Sequence, residues 1–144
     1  ELVPEEKETA RFFKIENGDI FNDPRFNFIV GDGRNHLLTT TRTYDVISIN
    51  AIHPAMSPYL YTYDFYQVCK AKLNPDGIIC VWIPLNSSYF NILLQTFQSV
   101  FPRASLWDCT TQHILLIGSI QPLVLDYYQW CKNISREKIT ASLA

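Results

Sequence analysis

Two short polar segments of the sequence carry side chains that could bind or transform a small molecule. In the first, Asp32 lies between Gly31 and Gly33, so a planar group such as an adenine base could approach its carboxylate and the adjacent backbone N–H groups without interference from a side chain. The same pattern is typical of a loop in which Asp32 caps the next helix and Gly33 adopts a positive φ. The residues alone leave both interpretations open.

The second segment reads Asn-Ala-Ile-His-Pro and places Asn50 and His53 close together in the chain. His53 could act as a general base because the reference pKa of histidine is about 6.5. A loop histidine beside a proline is more often simply solvated. The three histidines are far apart and no short acidic or cysteine spacing completes a metal site, so we expect no bound metal.

Four tyrosines follow this loop at positions 59, 61, 63 and 66. Their rings could line a pocket for an apolar or cationic ligand. Such a cluster is more often, at least in part, ordinary core packing.

Hydrophobic periodicity predicts the elements that position these residues. Strands are predicted at 26–30, 45–50, 78–83, 104–108 and 113–117, and helices at 4–17, 35–39, 61–73, 90–101 and from 125 onward. Alternating strands and helices imply right-handed crossovers and an open, doubly wound, mostly parallel α/β sheet, here with a C-terminal antiparallel hairpin. Such sheets bind ligands beyond the carboxyl ends of their strands, where Asp32 and Asn50 lie.

Length and composition restrict the functional classes. The 144 residues suit one domain, and 47% hydrophobic with 18% charged residues excludes a disordered tail or a coiled coil. A net charge of −2 with scattered basic residues gives nucleic acid no evident binding surface. The longest apolar run, 78–85, is too short to cross a bilayer. The four cysteines form no C-x-x-C pair, which favours free thiols in a reducing compartment, and we expect a cytoplasmic domain.

The order and spacing of several segments resemble the spermidine synthase (polyamine aminopropyltransferase) family, and most of all a bacterial branch often fused to membrane helices. The segments are Asn22-Asp23-Pro24-Arg25-Phe26, Val30-Gly31-Asp32-Gly33-Arg34-Asn35, Tyr44-Asp45-Val46-Ile47-Ser48, His53-Pro54, Asp64-Phe65-Tyr66, Leu73-Asn74-Pro75-Asp76-Gly77, Trp82-Ile83-Pro84-Leu85 and Leu115-Leu116-Ile117-Gly118-Ser119. The resemblance implies a Rossmann-like fold of the class I S-adenosylmethionine-dependent methyltransferases, with S-adenosylmethionine or its decarboxylated relative as substrate and without a metal.

The resemblance also assigns roles to individual residues. Glu1 corresponds to the acidic residue that holds the ribose hydroxyls, and Asp32 with Gly33 corresponds to the position that recognises adenine. The family's first strand and glycine-rich turn would lie upstream of residue 1, so residues 1–144 are expected to be a single, N-terminally truncated domain that is inactive and binds the nucleoside weakly on its own.

Three positions depart from the family pattern. The aspartate at the end of the fourth strand is Asn50 here, the following Asp-Pro is His53-Pro54, and a glutamine before the tryptophan is Val81. An amide cannot accept the proton of an attacking amine, so His53 is the candidate base and Asn50 the candidate residue for positioning the amine. Fewer carboxylates also weaken the attraction for a polycation.

Three functional hypotheses remain open. The first is an aminopropyltransferase-like enzyme acting on a polyamine. The second is a non-catalytic nucleoside-binding or scaffolding domain, and the third is an S-adenosylmethionine-dependent methyltransferase with another small-molecule acceptor. Unpaired sheet edges would favour a homo-oligomer, and membrane helices in a longer protein would attach the domain to a membrane.

Overall fold

The computed structural model describes residues 2–50, 53–85, 88–110, 113–124 and 126–135. Within them, the helices are α1 (Glu6–Thr9), α2 (Gly33–Thr39), α3 (Tyr63–Lys72), α4 (Phe90–Val100) and α5 (Tyr127–Ile134). The strands are β1 (Tyr44–Ile49), β2 (Leu73–Pro84), β3 (Ser105–Thr110) and β4 (His113–Ser119). Short 3₁₀ turns occupy Ala10–Phe13, Ile20–Asn22 and Pro58–Leu60. None of the helices in these ranges is long and apolar enough to cross a membrane.

The four strands form one mixed sheet in the order β1-β2-β4-β3. β1 and β2 are parallel and connected through α3, with Ile47 opposite Ile79. β2 pairs antiparallel with β4, and β4 pairs antiparallel with β3, which is the predicted C-terminal hairpin. One of the three ladders in the described residues is therefore parallel, so the parallel character is confined to the half of the sheet that contains β1.

The core lies between one face of this sheet and the helices α2, α3 and α4, of which α3 contacts both of the others. Alternate residues of β2, including Ile79 and Ile83, are fully buried on this face, while the residues between them are partly exposed on the other. Phe97 of α4 packs edge-to-face on Tyr66 of α3, with ring centroids 5.2 Å apart. This period-two burial reproduces the apolar alternation of the sequence.

The prediction of a sheet strand at 26–30 is wrong. These residues form neither a helix nor a strand, and the ladders of the described residues join only β1 to β2, β2 to β4 and β4 to β3. Apolar alternation favours an extended backbone, whereas a strand also needs a neighbour that completes its ladder.

The predicted helix at 4–17 is also shorter than expected. α1 is a single turn followed by the 3₁₀ turn, and Phe12, Phe13 and Ile15 are all exposed. A short helix is marginal in water unless its apolar face packs against something, and the apolar side chains of this segment do not pack into the core.

β2 begins earlier than predicted, at Leu73, and includes residues 74–77, which lie between the predicted helix and the predicted strand. Tyr44 pairs with Leu73, but the next pair is Val46 with Ile78, so the register shifts between them. This irregularity accommodates the turn-forming residues within the strand.

Candidate functional site

A cleft of about 590 Å³ lies between β1, the first turn of α2 and the chain leading into α3. Its size falls within the range of about 300–1,000 Å³ typical of small-molecule sites. Ile47 and Ile49 of β1, with Leu60 and Phe65, supply apolar surface. Its polar lining includes three of the residues singled out in the sequence, Asp32, Gly33 and Asn50.

Asp32 is the N-cap of α2. Its Oδ1 accepts a hydrogen bond from the backbone N–H of Asn35 at 2.7 Å, so the capping interpretation is confirmed. Among the described residues, Oδ2 has no hydrogen-bond partner, so one carboxylate oxygen is left for a ligand. The cap and a ligand contact are therefore compatible.

Gly33 is the first residue of α2, and a Cβ built on it would meet nothing within 4 Å. The predicted positive φ at Gly33 is wrong, because the glycine with φ of 154° is Gly31. Gly31, which precedes the Asp32 cap, has the positive φ, whereas Gly33, which follows the cap, is already part of the helix. Gly33 leaves open space beside the Asp32 carboxylate.

Asn50 directly follows β1, is exposed and lines the cleft. The carboxyl end of a parallel strand and the start of α2 thus meet at one site, as the topology predicted. Glu1, the remaining candidate for nucleoside binding, lies outside the described residues.

His53 does not line this cleft in the described residues. Its Nδ1 accepts a hydrogen bond from the backbone N–H of Ala55 at 3.1 Å, and its carbonyl accepts from Met56 N and Ser57 N. With Nδ1 as acceptor, the neutral ring carries its proton on Nε2. The one basic lone pair of this tautomer, on Nδ1, is the one that accepts from Ala55 N–H, so the local turn occupies the atom that would take a proton.

Arg34 is a cleft residue whose role the sequence reasoning missed. Its Nη1 donates to the carbonyl of Tyr59 at 2.6 Å and to Thr62 Oγ1 at 3.3 Å. The guanidinium also lies 5.4 Å from the ring centroid of Phe65, a cation–π distance. Arg34 therefore fastens α2 to the chain entering α3. The sequence feature that could have indicated this role is the position of Arg34 in the first helical turn, directly after Gly-Asp-Gly.

A second polar pair lies at the other end of the cleft, where His36 Nε2 and Tyr44 Oη are 2.9 Å apart. The tyrosine cluster divides between the two interpretations. Tyr61 and Tyr66 are buried, Tyr63 is exposed, and Tyr59 lines the cleft.

Burial raises the pKa of Tyr61 and of Tyr66. Tyr61 donates to the carbonyl of Trp82 at 3.3 Å, near the carboxyl end of β2. The Tyr66 hydroxyl has no hydrogen-bond partner in the described part of the chain. Both rings serve the core, and neither reaches the cleft lining.

Within the described ranges, no group of three His, Cys, Asp or Glu side chains is arranged to hold a metal ion.

The sequence profile of the Spermine/spermidine synthase domain matches residues 7–117. The chain belongs to this family. It is 41% identical over 69 residues to the polyamine aminopropyltransferase of Shigella boydii serotype 4 (strain Sb227), a match that covers 47% of this chain and 24% of that protein. The matched region is thus about a quarter of the length of this curated relative.

Solved structures share the fold. A spermidine synthase crystallised with the transition state analogue AdoDATO superposes with a TM-score of 0.73 and 21% identity, over 84% of this chain and 45% of that one. Human methyltransferase-like protein 13 in complex with SAH gives a TM-score of 0.67 and 17% identity, over 92% of this chain and 65% of that one. The predicted α/β fold of the methyltransferase-like class is confirmed.

Proposed function

We propose that residues 1–144 form a single, partial spermidine synthase-like domain whose cleft binds the adenosyl group of S-adenosylmethionine or its decarboxylated relative. The observation that carries the proposal is that Asp32, Gly33 and Asn50 line one cleft in a chain of this family. The structural neighbours were crystallised with AdoDATO and with SAH, which supports an adenosyl-type ligand.

In this proposal Asp32 recognises the base. Its free Oδ2 accepts a hydrogen bond from an amino group of adenine, while Oδ1 remains on the helix cap. Gly33 lets the ring approach because it has no side chain. Ile47, Leu60 and Phe65 supply apolar surface around the base, and Glu1 holds the ribose hydroxyls.

The proposed chemistry is transfer of an aminopropyl group to an amine. The lone pair of the acceptor nitrogen forms a bond to the methylene carbon next to the sulfonium, and the carbon–sulfur bond breaks with its electrons remaining on sulfur. The immediate product is an alkylammonium ion, which must lose one proton to become the amine. Asn50 is proposed to position the attacking nitrogen through its amide oxygen. His53 is proposed to take the proton, which requires its Nδ1 to leave the Ala55 N–H or its tautomer to change.

A specific observation favours a second candidate, a domain that binds the nucleoside without transferring any group. Asn50 cannot act as a base, and the Nδ1 lone pair of His53 is engaged by the Ala55 N–H. Mass spectrometry of incubations with each sulfonium substrate and an amine distinguishes the candidates. Methylthioadenosine indicates aminopropyl transfer, S-adenosylhomocysteine indicates methyl transfer, and binding without either product supports the second candidate.

The binding proposal is tested by replacing Asp32 without losing its cap. Serine caps helices about as well as aspartate but lacks the second carboxylate oxygen. In a nuclear magnetic resonance titration with S-adenosylhomocysteine, we expect Asp32→Ser to weaken binding by about tenfold, the usual effect of losing a hydrogen bond to a charged group.

Asp126→Ser is the matched control. Asp126 caps α5 in the same way, with its side chain accepting from Gln129 N at 2.9 Å, but it does not line the cleft. This variant should bind like the parent chain. Equal affinity of the parent and Asp32→Ser would contradict the proposed role of Asp32, and no binding to the parent would refute nucleoside binding by this chain.

A further inference from the structure

The charges on the cleft wall bear on which acceptor could enter it. Among the described residues that line the cleft, the formally charged side chains are Asp32 and Arg34. With histidine counted as neutral, the two charges cancel. One oxygen of the single carboxylate is also already engaged by the N-terminus of α2.

The positive charge of Arg34 is fixed in position. Its guanidinium is held by the Tyr59 carbonyl and by Thr62 Oγ1, and it lies against the Phe65 ring. Turning away from a cationic ligand would therefore break both hydrogen bonds. Each ammonium group of such a ligand would lose hydration without gaining a net Coulombic attraction from the described lining of the cleft.

A second carboxylate that attracted a cationic acceptor would have to lie at the end of β1. Asn50 stands there and is neutral, and the neighbouring lining residues Ser48 and Ser57 are neutral as well. The rest of this rim is apolar or aromatic, with Leu60 and Tyr59. Such a surface suits a ligand with an apolar body and few charges.

We infer that the acceptor of this site is a nucleophile with one ammonium group or none and an apolar body, rather than a diamine or polyamine. The inference rests on the function proposed above, because it places the acceptor in the cleft beside Asn50. Glu1 is proposed above to hold the ribose hydroxyls, so its carboxylate is not counted among the groups that would meet the acceptor.

The test compares 1-aminobutane with 1,4-diaminobutane, which differ by one ammonium group at equal chain length. Binding of each amine to the 144-residue chain is measured by nuclear magnetic resonance at low ionic strength, with and without S-adenosylhomocysteine. The two dissociation constants should agree within about threefold. Asn50→Asp should create a preference for the diamine of about fivefold, the size expected of one exposed ion pair, and this preference should fall with added salt.

Asn91→Asp is the matched control, because it adds the same charge on an exposed residue of α4 that does not line the cleft. It should leave both constants unchanged. A preference of the parent chain for the diamine of more than about tenfold would overturn the inference, and so would the absence of any effect of Asn50→Asp on either amine. The titration with S-adenosylhomocysteine alone tests the proposed nucleoside site. A failure of the proposed function is therefore distinguishable from a failure of the inference about the acceptor.

Discussion

At the residue scale, the four cysteines are free, but their environments differ. Cys69 is fully buried in α3 against the core, and this burial raises the pKa of its thiol from 9.0 to about 12. Cys109 is exposed on β3. Because the folded-state pKa of Cys69 exceeds that of the unfolded chain, its contribution to stability is complete below pH 9 and is lost as the pH rises towards 12.

The thiolate is the reactive form of cysteine, so the two residues should respond differently to alkylation. In the native chain at mildly alkaline pH, iodoacetamide should modify Cys109 readily and leave Cys69 unmodified until denaturant is added. Peptide mass spectrometry measures both sites, and Cys109→Ser serves as the control for site assignment. Equal rates at the two sites would show that the core around α3 opens easily.

Only part of the site could be predicted from the sequence. Asp32 and Asn50 were predictable because strand ends and glycine-flanked turns can be recognised from local residue types. The state of His53 was not, because it depends on one hydrogen bond from Ala55 that forms only when the loop has folded. The role of Arg34 depends on Tyr59 and Thr62, which are distant in sequence and adjacent only after α2 and α3 pack.

At the element scale, the contact between α4 and β4 depends on one glycine. A Cβ added to Gly118 would lie 2.8 Å from Phe101 Cβ and Cγ and 2.9 Å from Phe97 Cζ. Both rings are fully buried, so the core would have to shift to admit the added methyl group. We expect Gly118→Ala to lower the free energy of unfolding by about 1–3 kcal/mol, the usual cost of overpacking.

Urea denaturation followed by circular dichroism measures this effect. Gly33→Ala is the control, because its Cβ would meet nothing within 4 Å and alanine is the better helix former. This control should match or exceed the parent in stability. A stable Gly118→Ala variant would mean that α4 can shift away from the sheet at little cost.

The elements themselves were predicted unevenly, for a physical reason. α4 and the hairpin followed the sequence closely, since their apolar residues recur with the period of the element that buries them. The segment at 4–17 leaves Phe12, Phe13 and Ile15 exposed, and none of the ladders between the described strands includes residues 26–30. Local patterns determine what a segment can form, and its neighbours determine whether it does.

At the scale of the whole molecule, the sheet has two edges among the described residues, β1 and β3. On β1, Val46 is 57% exposed. An edge strand with unpaired backbone groups and apolar side chains is a template for pairing with another chain. We therefore expect the 144-residue chain to self-associate with increasing concentration.

A lysine on an edge strand disfavours such pairing, so Val46→Lys should reduce association in sedimentation velocity experiments. Leu38→Lys adds the same charge on α2, at a residue that is 53% exposed, and should have the smaller effect. A parent chain that stays monomeric at all concentrations would contradict the expectation, and an equal effect of both variants would attribute the change to net charge rather than to the edge of β1.

The link made by Arg34 has a consequence for the energetics of recognition. The loop that carries Tyr59 cannot swing away from α2 without breaking a charge-assisted hydrogen bond to a backbone carbonyl. The mouth of the cleft is thus shaped when the chain folds, and a ligand does not have to order this loop by binding. The conformational entropy of this loop is already lost when the chain folds. Ligand contacts therefore do not have to offset it, and a small number of them gives a higher affinity.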